Sequence, residues 1–303
     1  MQKVLVIVGP TAVGKTSMSV QLAKHFDGEI ISGDSIQVYH HMDIGSAKIT
    51  PEEMDGIPHY LVDCFEMHDE YSVKVFQEKS RAYIQDMSER NKLPIICGGT
   101  GLYIKSVIYD YQFIEQERNQ EFTDYLRTRS RDELWALLKI IDPKACEELH
   151  PNNRQRVVRA LCMAHDGDKK SDLLEKQEHK PIYDVFVLGL TMDRARLYER
   201  INYRVDLMME KGLLQEIESL VPKYENIWDM QCFKGIGYKE WKGYFEGTQS
   251  VEECAELVKK NSRNFAKRQY TWFNNQMDVH WYDIEEEGYK DKIKEDLTVW
   301  LNS

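Results

Sequence analysis

Gly9, Pro10, Thr11, Ala12, Val13, Gly14, Lys15 and Thr16 follow the apolar run Val4-Leu5-Val6-Ile7-Val8. The stretch has the form GxxxxGK[ST] and stands between a strand-like run and a helix-like one at 15–25. In that setting successive backbone N–H groups make an anion nest, and the start of the helix adds partial positive charge. Lys15 then sets its ammonium on phosphate oxygens, and the Thr16 hydroxyl orients Mg²⁺ or a phosphate oxygen. The alternative is a Gly-rich turn that binds nothing. The motif does not say whether the phosphate belongs to ATP or to the diphosphate of something else.

Two further loops could work beside it. Asp34 ends the strand-like 29–35 segment "EIISGDS". A carboxylate there could hold Mg²⁺, accept a proton from a substrate, or cap a turn. "LPIICGGTG" (93–101) reads as a strand running into a Gly-rich turn that carries Thr100. Glycines on both sides of Thr100 let backbone approach a ligand closely. The plain reading is a tight turn with an exposed threonine.

The elements that must position these groups follow in strand–helix order. Lys15 to His25 carries apolar Met18, Leu22 and Ala23; 81–92 reads as helix; 183–190, "YDVFVLGL", returns to strand pattern. Glycines at strand ends in this order predict an α/β fold, a P-loop-type parallel sheet flanked by helices with ligands at its carboxyl edge. From about 115 to 180 only Gly167 interrupts a charge-rich helical texture, broken at Pro151. That predicts an inserted all-helical domain at 115–180, between the core segments 1–114 and 181–303. On its 154–165 segment Arg156 and Arg159 share a face, while Val157, Val158, Leu161 and Cys162 can face a core. The segment from Arg194 reads as helix stopped by Gly212. There are no repeats and no low-complexity linker.

Composition bounds the rest. With 303 residues and 42% hydrophobic content the chain can bury a large core. No run of about 18 apolar residues or secretory leader is present, so a cytoplasmic location and no membrane contact are expected. Six scattered cysteines without a CxxC pair predict reduced, mostly buried thiols rather than disulfides or zinc. The net charge of −11 argues against nucleic acid, but Lys259, Lys260, Arg263, Lys267 and Arg268 cluster, opposed nearby by Glu256. An acidic tail, Glu285-Glu286-Glu287, masks that cluster in the sum. No amphipathic dimer seam stands out, and a monomer is expected.

Taken together, the segments resemble the bacterial tRNA dimethylallyltransferases over nearly the whole chain. The resemblance is carried by "GPTAVGKT" (9–16), "SGDSIQVYHHMDIGSAK" (32–48), "IPHYLVD" (57–63), "CGGTGLYIKS" (97–106), "HPNNRQRVVRAL" (150–161), "RVDLMMEKGLLQEI" (204–217), "KGIGYKE" (234–240) and "AKRQYTWF" (266–273). The phosphate loop is shared with many unrelated proteins; the later segments in this order are far more specific. Two positions depart from the family pattern: Ile36, where Arg or Met is frequent, and His41, where Gly is common, so the turn there is expected to differ.

The resemblance implies that the 9–16 loop takes dimethylallyl diphosphate rather than ATP, and that the acceptor is N6 of adenosine 37 in the anticodon stem-loop of tRNAs reading codons that start with U. It implies catalytic roles for Asp34 as base, Thr100 at the bridging oxygen, and Lys15 and Thr16 on the diphosphate with Mg²⁺ as cofactor, directly or through water. Arg204 matches a family arginine that reaches the diphosphate; by itself it reads as a surface ion pair with Asp206 or Glu199. The tRNA contacts implied are Asp34, Ser35, Ile36 and Gln37 on the adenine, Thr100, Gln155 and Arg159 on the insert, and Lys267 and Arg268 on phosphates. Tyr270 and Trp272 read as packing residues. The rival is a P-loop small-molecule or nucleoside kinase, which explains the loop, Asp34 and the acidic total but not the helical insertion or the GGTGLY loop. A non-catalytic nucleotide switch would bind ATP or GTP at Lys15 without turnover of allylic diphosphates.

Overall fold

The structure, a computed structural model, describes residues 1–113, 119–167 and 180–303. The chain falls into two compact units, Met1–Tyr109 with Pro181–Ser303, and Asp110–Lys180. The insert therefore begins at Asp110, a few residues before the 115 expected from sequence. Its two ends are tied together: the Asp110 N–H donates to the Lys180 carbonyl at 3.1 Å, and the Lys180 N–H to Asp110 Oδ1 at 3.0 Å.

The larger unit holds the strands β1 (Lys3–Val8), β2 (Gly28–Ser32), β3 (His59–Tyr60), β4 (Leu93–Cys97), β5 (Asp184–Thr191) and β6 (His280–Asp283). They form one sheet in the order β3-β2-β4-β1-β5-β6, and every pairing is parallel. The expected parallel sheet is present. β3 and β6 escaped the sequence reading because one is very short and the other, His-Trp-Tyr-Asp, has no apolar run. β1 is apolar without alternation because helices cover both faces of a parallel sheet. Val4, Val6 and Val8 enter one core and Leu5 and Ile7 the other, as the pleat requires.

Local signals set the helices. Lys15–His25 forms as read. The helix containing residues 81–89 starts earlier, at Val73, because Ser72 caps it by accepting the Val75 N–H. The helix Val251–Gln276 starts with a reciprocal capping box between Ser250 and Glu253. Register then decides the site. Cys97 of β4 pairs with Ile7 of β1 on one side and Ser32 of β2 on the other. Three neighbouring strands thus end flush, and the loops after them share one edge.

The insert has its own core of Leu126, Leu134, Leu138, Ala145, Leu149, Val157, Ala160 and Leu161. Val158 and Cys162 pack against it half-buried, on the face expected of them. Arg154 is structural: its guanidinium donates to the carbonyls of Leu126, Arg127 and Arg129, at and just beyond the end of the helix Gln120–Arg127.

Candidate active site

The 9–16 loop leaves β1 and enters Lys15–His25 through Gly14, whose φ of 105° is open to glycine at little cost. No side chain caps that helix. The first-turn N–H groups, Lys15 and Thr16 among them, have no intrahelical acceptor and can meet an anion. Val13 is buried in the core and anchors the loop, whereas Thr16 is exposed. Lys15 Nζ donates to the Pro10 carbonyl at 2.8 Å, closing the loop on itself. Burial lowers the Lys15 pKa from 10.5 to about 8; Arg204 adds to the drop, while Cys97 and Asp34 oppose it. Ala12 carries a positive φ of 66°, a small strain held inside the loop.

Asp34 lies two residues past the end of β2, not on the strand. Its Oδ1 accepts the N–H groups of Ile36 at 2.8 Å and Gln37 at 3.2 Å. The turn-capping reading is therefore true of one oxygen, and Oδ2 makes no hydrogen bond to the described residues. Thr100 stands at the cap position of the helix Gly101–Ile108, yet its hydroxyl makes no capping bond. β4 runs between β2 and β1, so Thr100 lies between Asp34 and Lys15 along the edge. A Cβ on Gly98 would stand 2.5 Å from the Gly33 carbonyl, so the roots of these two loops touch, backbone to backbone.

Arg204, on the helix Arg194–Glu210, shares a face with buried Ile201 and turns inward. Its Nη1 donates to Thr11 Oγ1 at 3.2 Å. The surface-pair reading fails, since Asp206 is taken by Lys259. Burial lowers the Arg204 pKa and Asp34 raises it, but a guanidinium stays charged regardless. Two enclosed cations thus face one carboxylate at the mouth of the phosphate loop. Burial raises the Cys97 thiol, which stays neutral beside Lys15.

Sequence reading missed what holds the 34–48 loop. Glu216 places its carboxylate on the N–H groups of Asp43 (3.0 Å), Ile44 (2.6 Å) and Gly45 (3.1 Å). Tyr238 Oη donates to the same carboxylate at 2.8 Å and accepts the Ser46 N–H at 3.2 Å. "KGIGYKE" is thus a brace: Tyr238 holds the loop and Gly235 receives the Ile36 side chain. Gln37 Nε2 donates to the carbonyls of Ser46 and Ala47, which corrects the expected base pairing by its amide: only Oε1 is left for a base. Ser35 is half-buried next to it. His41 takes φ 66°, the left-handed conformation a glycine would favour. Gln269 was also missed; it bonds both the Thr11 N–H and the Gly99 carbonyl. Tyr238 and Gln269 stand inside the segments quoted above, and a polar side chain on an otherwise apolar helix face was the signal available for Gln269.

Lys267 and Arg268 are exposed on the helix Val251–Gln276 and line an open groove of about 520 Å³ with Thr271, Trp272 and Asn275. Trp272 fills the space that a side chain at Gly101 would need, so that groove borders the Thr100 turn. Tyr270 packs on Trp281 and meets Thr191 through its hydroxyl, as a packing residue should. The basic cluster is smaller than its sequence suggests: Lys259 is paired with Asp206 and Glu256, and Arg263 donates to Asn202. On the insert, Gln155 and Arg159 are exposed one turn apart on the helix Arg154–His165. The cysteines are all unpaired, but only Cys232 and Cys254 are fully buried, fewer than expected. Among the described residues no three His, Cys, Asp or Glu side chains converge as a metal cage, and no helix is long and apolar enough to cross a membrane.

The chain is similar to known proteins over nearly its whole length. The family model "IPP transferase" matches residues 37–276. A tRNA dimethylallyltransferase of Bacillus cereus is 52% identical over 288 residues, covering 93% of this chain and 90% of the relative. One of Bacillus anthracis is also 52% identical, with 93% and 91% covered. The crystal structure of a tRNA isopentenylpyrophosphate transferase from Bacillus halodurans superposes with a TM-score of 0.76 at 41% identity, covering 100% of this chain and 97% of that one. A eukaryotic dimethylallyltransferase acting on tRNA gives a TM-score of 0.85 at 30% identity, with 99% and 78% covered. The chain belongs to the IPP transferase family.

Proposed function

We propose that this enzyme transfers the dimethylallyl group of dimethylallyl diphosphate to N6 of adenosine 37 in tRNA, within the anticodon stem-loop of tRNAs that read codons starting with U. The observation that carries the reading is the shared edge. Lys15, Arg204 and the first-turn N–H groups form an anion cradle, with Thr100 between them and Asp34. Family membership supports prenyl transfer to tRNA over the kinase reading.

N6 is a poor nucleophile because its lone pair is delocalised into the adenine ring. As N6 bonds to C1 of the allylic chain, the C1–O bond breaks and its electron pair leaves on diphosphate. Asp34 Oδ2 takes the N6 proton, while Oδ1 stays tied to the turn and fixes the carboxylate's aim. A positioned base contributes ~10²–10⁴-fold. Lys15 and Arg204 take up the charge that develops on diphosphate, and the Thr100 hydroxyl donates to the bridging oxygen. Mg²⁺ fits this donor set through the exposed Thr16 hydroxyl, directly or through water, because Mg²⁺ is commonly held by substrate phosphates and few protein oxygens. Bound there it would supply further positive charge to the leaving group.

Gln37 Oε1 accepts from the adenine edge, with Ser35 and Ile36 shaping its seat. The base must leave its stack to enter, which a single-stranded loop permits more cheaply than a duplex. Lys267 and Arg268 meet backbone phosphates, and Gln155 and Arg159 contact the anticodon loop. The enzyme works as a monomer, in the cytosol where tRNA is found.

The test is incubation with unmodified tRNA, Mg²⁺ and dimethylallyl diphosphate, then nucleoside mass spectrometry. Prenylated adenosine is expected with the wild type and a loss of orders of magnitude in Asp34→Ala. Bound tRNA without product, together with phosphoryl transfer from ATP, would return the loop to the kinase reading.

A further inference from the structure

We propose that Gln269 is a positioning residue that sets the spacing between the diphosphate loop and the Thr100 turn; the role rests on the prenyl-transfer reading above. Gln269 is only 4% exposed, on the helix Val251–Gln276. Its Oε1 accepts the Thr11 N–H at 2.8 Å, and its Nε2 donates to the Gly99 carbonyl at 3.0 Å. One partner can only donate and the other only accept, so the amide has one orientation. The fit is close: a Cβ on Gly99 would stand 2.0 Å from Nε2.

Each end of the amide leads to a reacting partner. Thr11 receives Arg204 through Oγ1 at 3.2 Å. Gly99 precedes Thr100, whose hydroxyl has no capping bond to fix it, so backbone placement decides where it points. The sheet fixes the roots of both loops, since the Gly98 N–H still reaches the Ile7 carbonyl at 3.1 Å. Beyond that bond the ladder ends and the loop tips need another tie. Gln269 supplies it with a planar group, held by buried Ala266 and Phe273 on the same helix face. The distance from the cation on diphosphate to the hydroxyl on the bridging oxygen is then set by one side chain.

Gln269→Met keeps length and loses both hydrogen bonds. Gln269→Glu keeps the acceptor and regains the donor only when protonated. The measurements are the single-turnover rate at saturating tRNA and dimethylallyl diphosphate per folded molecule, magnesium pyrophosphate affinity, and amide exchange at Thr11. Gln269→Met should slow the single turnover ~10–100-fold, as misplacement of reacting groups does, with pyrophosphate affinity changed by less than ~10-fold. For Gln269→Glu the rate relative to wild type should climb as pH falls from about 8 to about 5.5, where a neutral carboxyl can copy the amide. A Met variant as fast as wild type per folded molecule, or a flat Glu ratio, overturns the role. If the wild type itself makes no product, the transfer reading has failed. The tie is then judged by Thr11 exchange alone: at least ~10-fold faster in Gln269→Met supports it, and equal exchange removes it.

Discussion

In the 9–16 loop the lysine turns back on the Pro10 carbonyl, and Val13 plugs the loop into the core beneath it. In the 34–48 loop, by contrast, three consecutive N–H groups are held by Glu216, a fourth by Tyr238, and Gln37 Nε2 is tied to the loop's own carbonyls. The first loop closes on its own Pro10 carbonyl, is tied from outside at Thr11 by Gln269 and Arg204, and presents positive charge. The second is braced at four successive N–H groups from far along the chain and, on the proposed reading, presents a shape to a base. A charge can be met by backbone dipoles that any correct local conformation supplies. A base edge needs side chains placed to a fraction of an ångström, and a long loop reaches that only with outside support.

The comparison can be sharpened by removing one element from each loop. Lys15→Ala should have the largest effect: transfer falls ~10³-fold or more through loss of diphosphate stabilisation, read in single turnovers. Glu216→Ala should lower kcat/KM for tRNA by ~10–100-fold and stability by ~1–2 kcal/mol, because the partly buried N–H groups of Ile44 and Gly45 lose their acceptor. Its pyrophosphate affinity should stay within about twofold of wild type. A Glu216 variant that loses pyrophosphate and tRNA alike would show that the loops are one unit.

pH separates them again. Lys15 is charged below its pKa of about 8 and neutral above it, so charge on this group favours diphosphate only on the acid side. Pyrophosphate affinity of the wild type, compared with Lys15→Met at each pH, should fall up to ~10-fold per unit above that value. Calorimetric titration from pH 6.5 to 9.5 reads it, and a constant ratio to the Met variant breaks the assignment. Arg268→Ala should act on tRNA alone, lowering the slope of log K against log[salt] by about 0.7–0.9 and leaving pyrophosphate binding unchanged. The smallest effect is expected at His41. Replacing it with Gly removes a left-handed side-chain penalty of about 1 kcal/mol, partly offset by a more flexible unfolded chain, and should shift Tm by no more than a few degrees.

The parallel sheet and the site's first members were legible because their signals are local. An apolar run followed by GxxxxGK[ST] fixes strand, loop and helix within adjacent residues. β6 was not legible, since an edge strand that is half-exposed needs no apolar run. Arg204 was legible by resemblance; as a lone residue it looked like a surface ion pair, and only the inward face of its helix shows its partner to be Thr11.

By itself the sequence determined the phosphate loop, the central strands β1, β2, β4 and β5 with the helix after the loop, and the presence of a charge-rich helical insert, all of which depend on neighbours in the chain. Tertiary structure alone decided that β4 lies between β2 and β1, which sets Thr100 between Asp34 and Lys15. It also decided that Glu216, Tyr238 and Gln269 support the site rather than the surface. Those contacts join residues up to 258 positions apart. Pairings at that separation leave no periodicity or spacing in the sequence, because they are selected by packing of the finished fold and not by any local conformational preference.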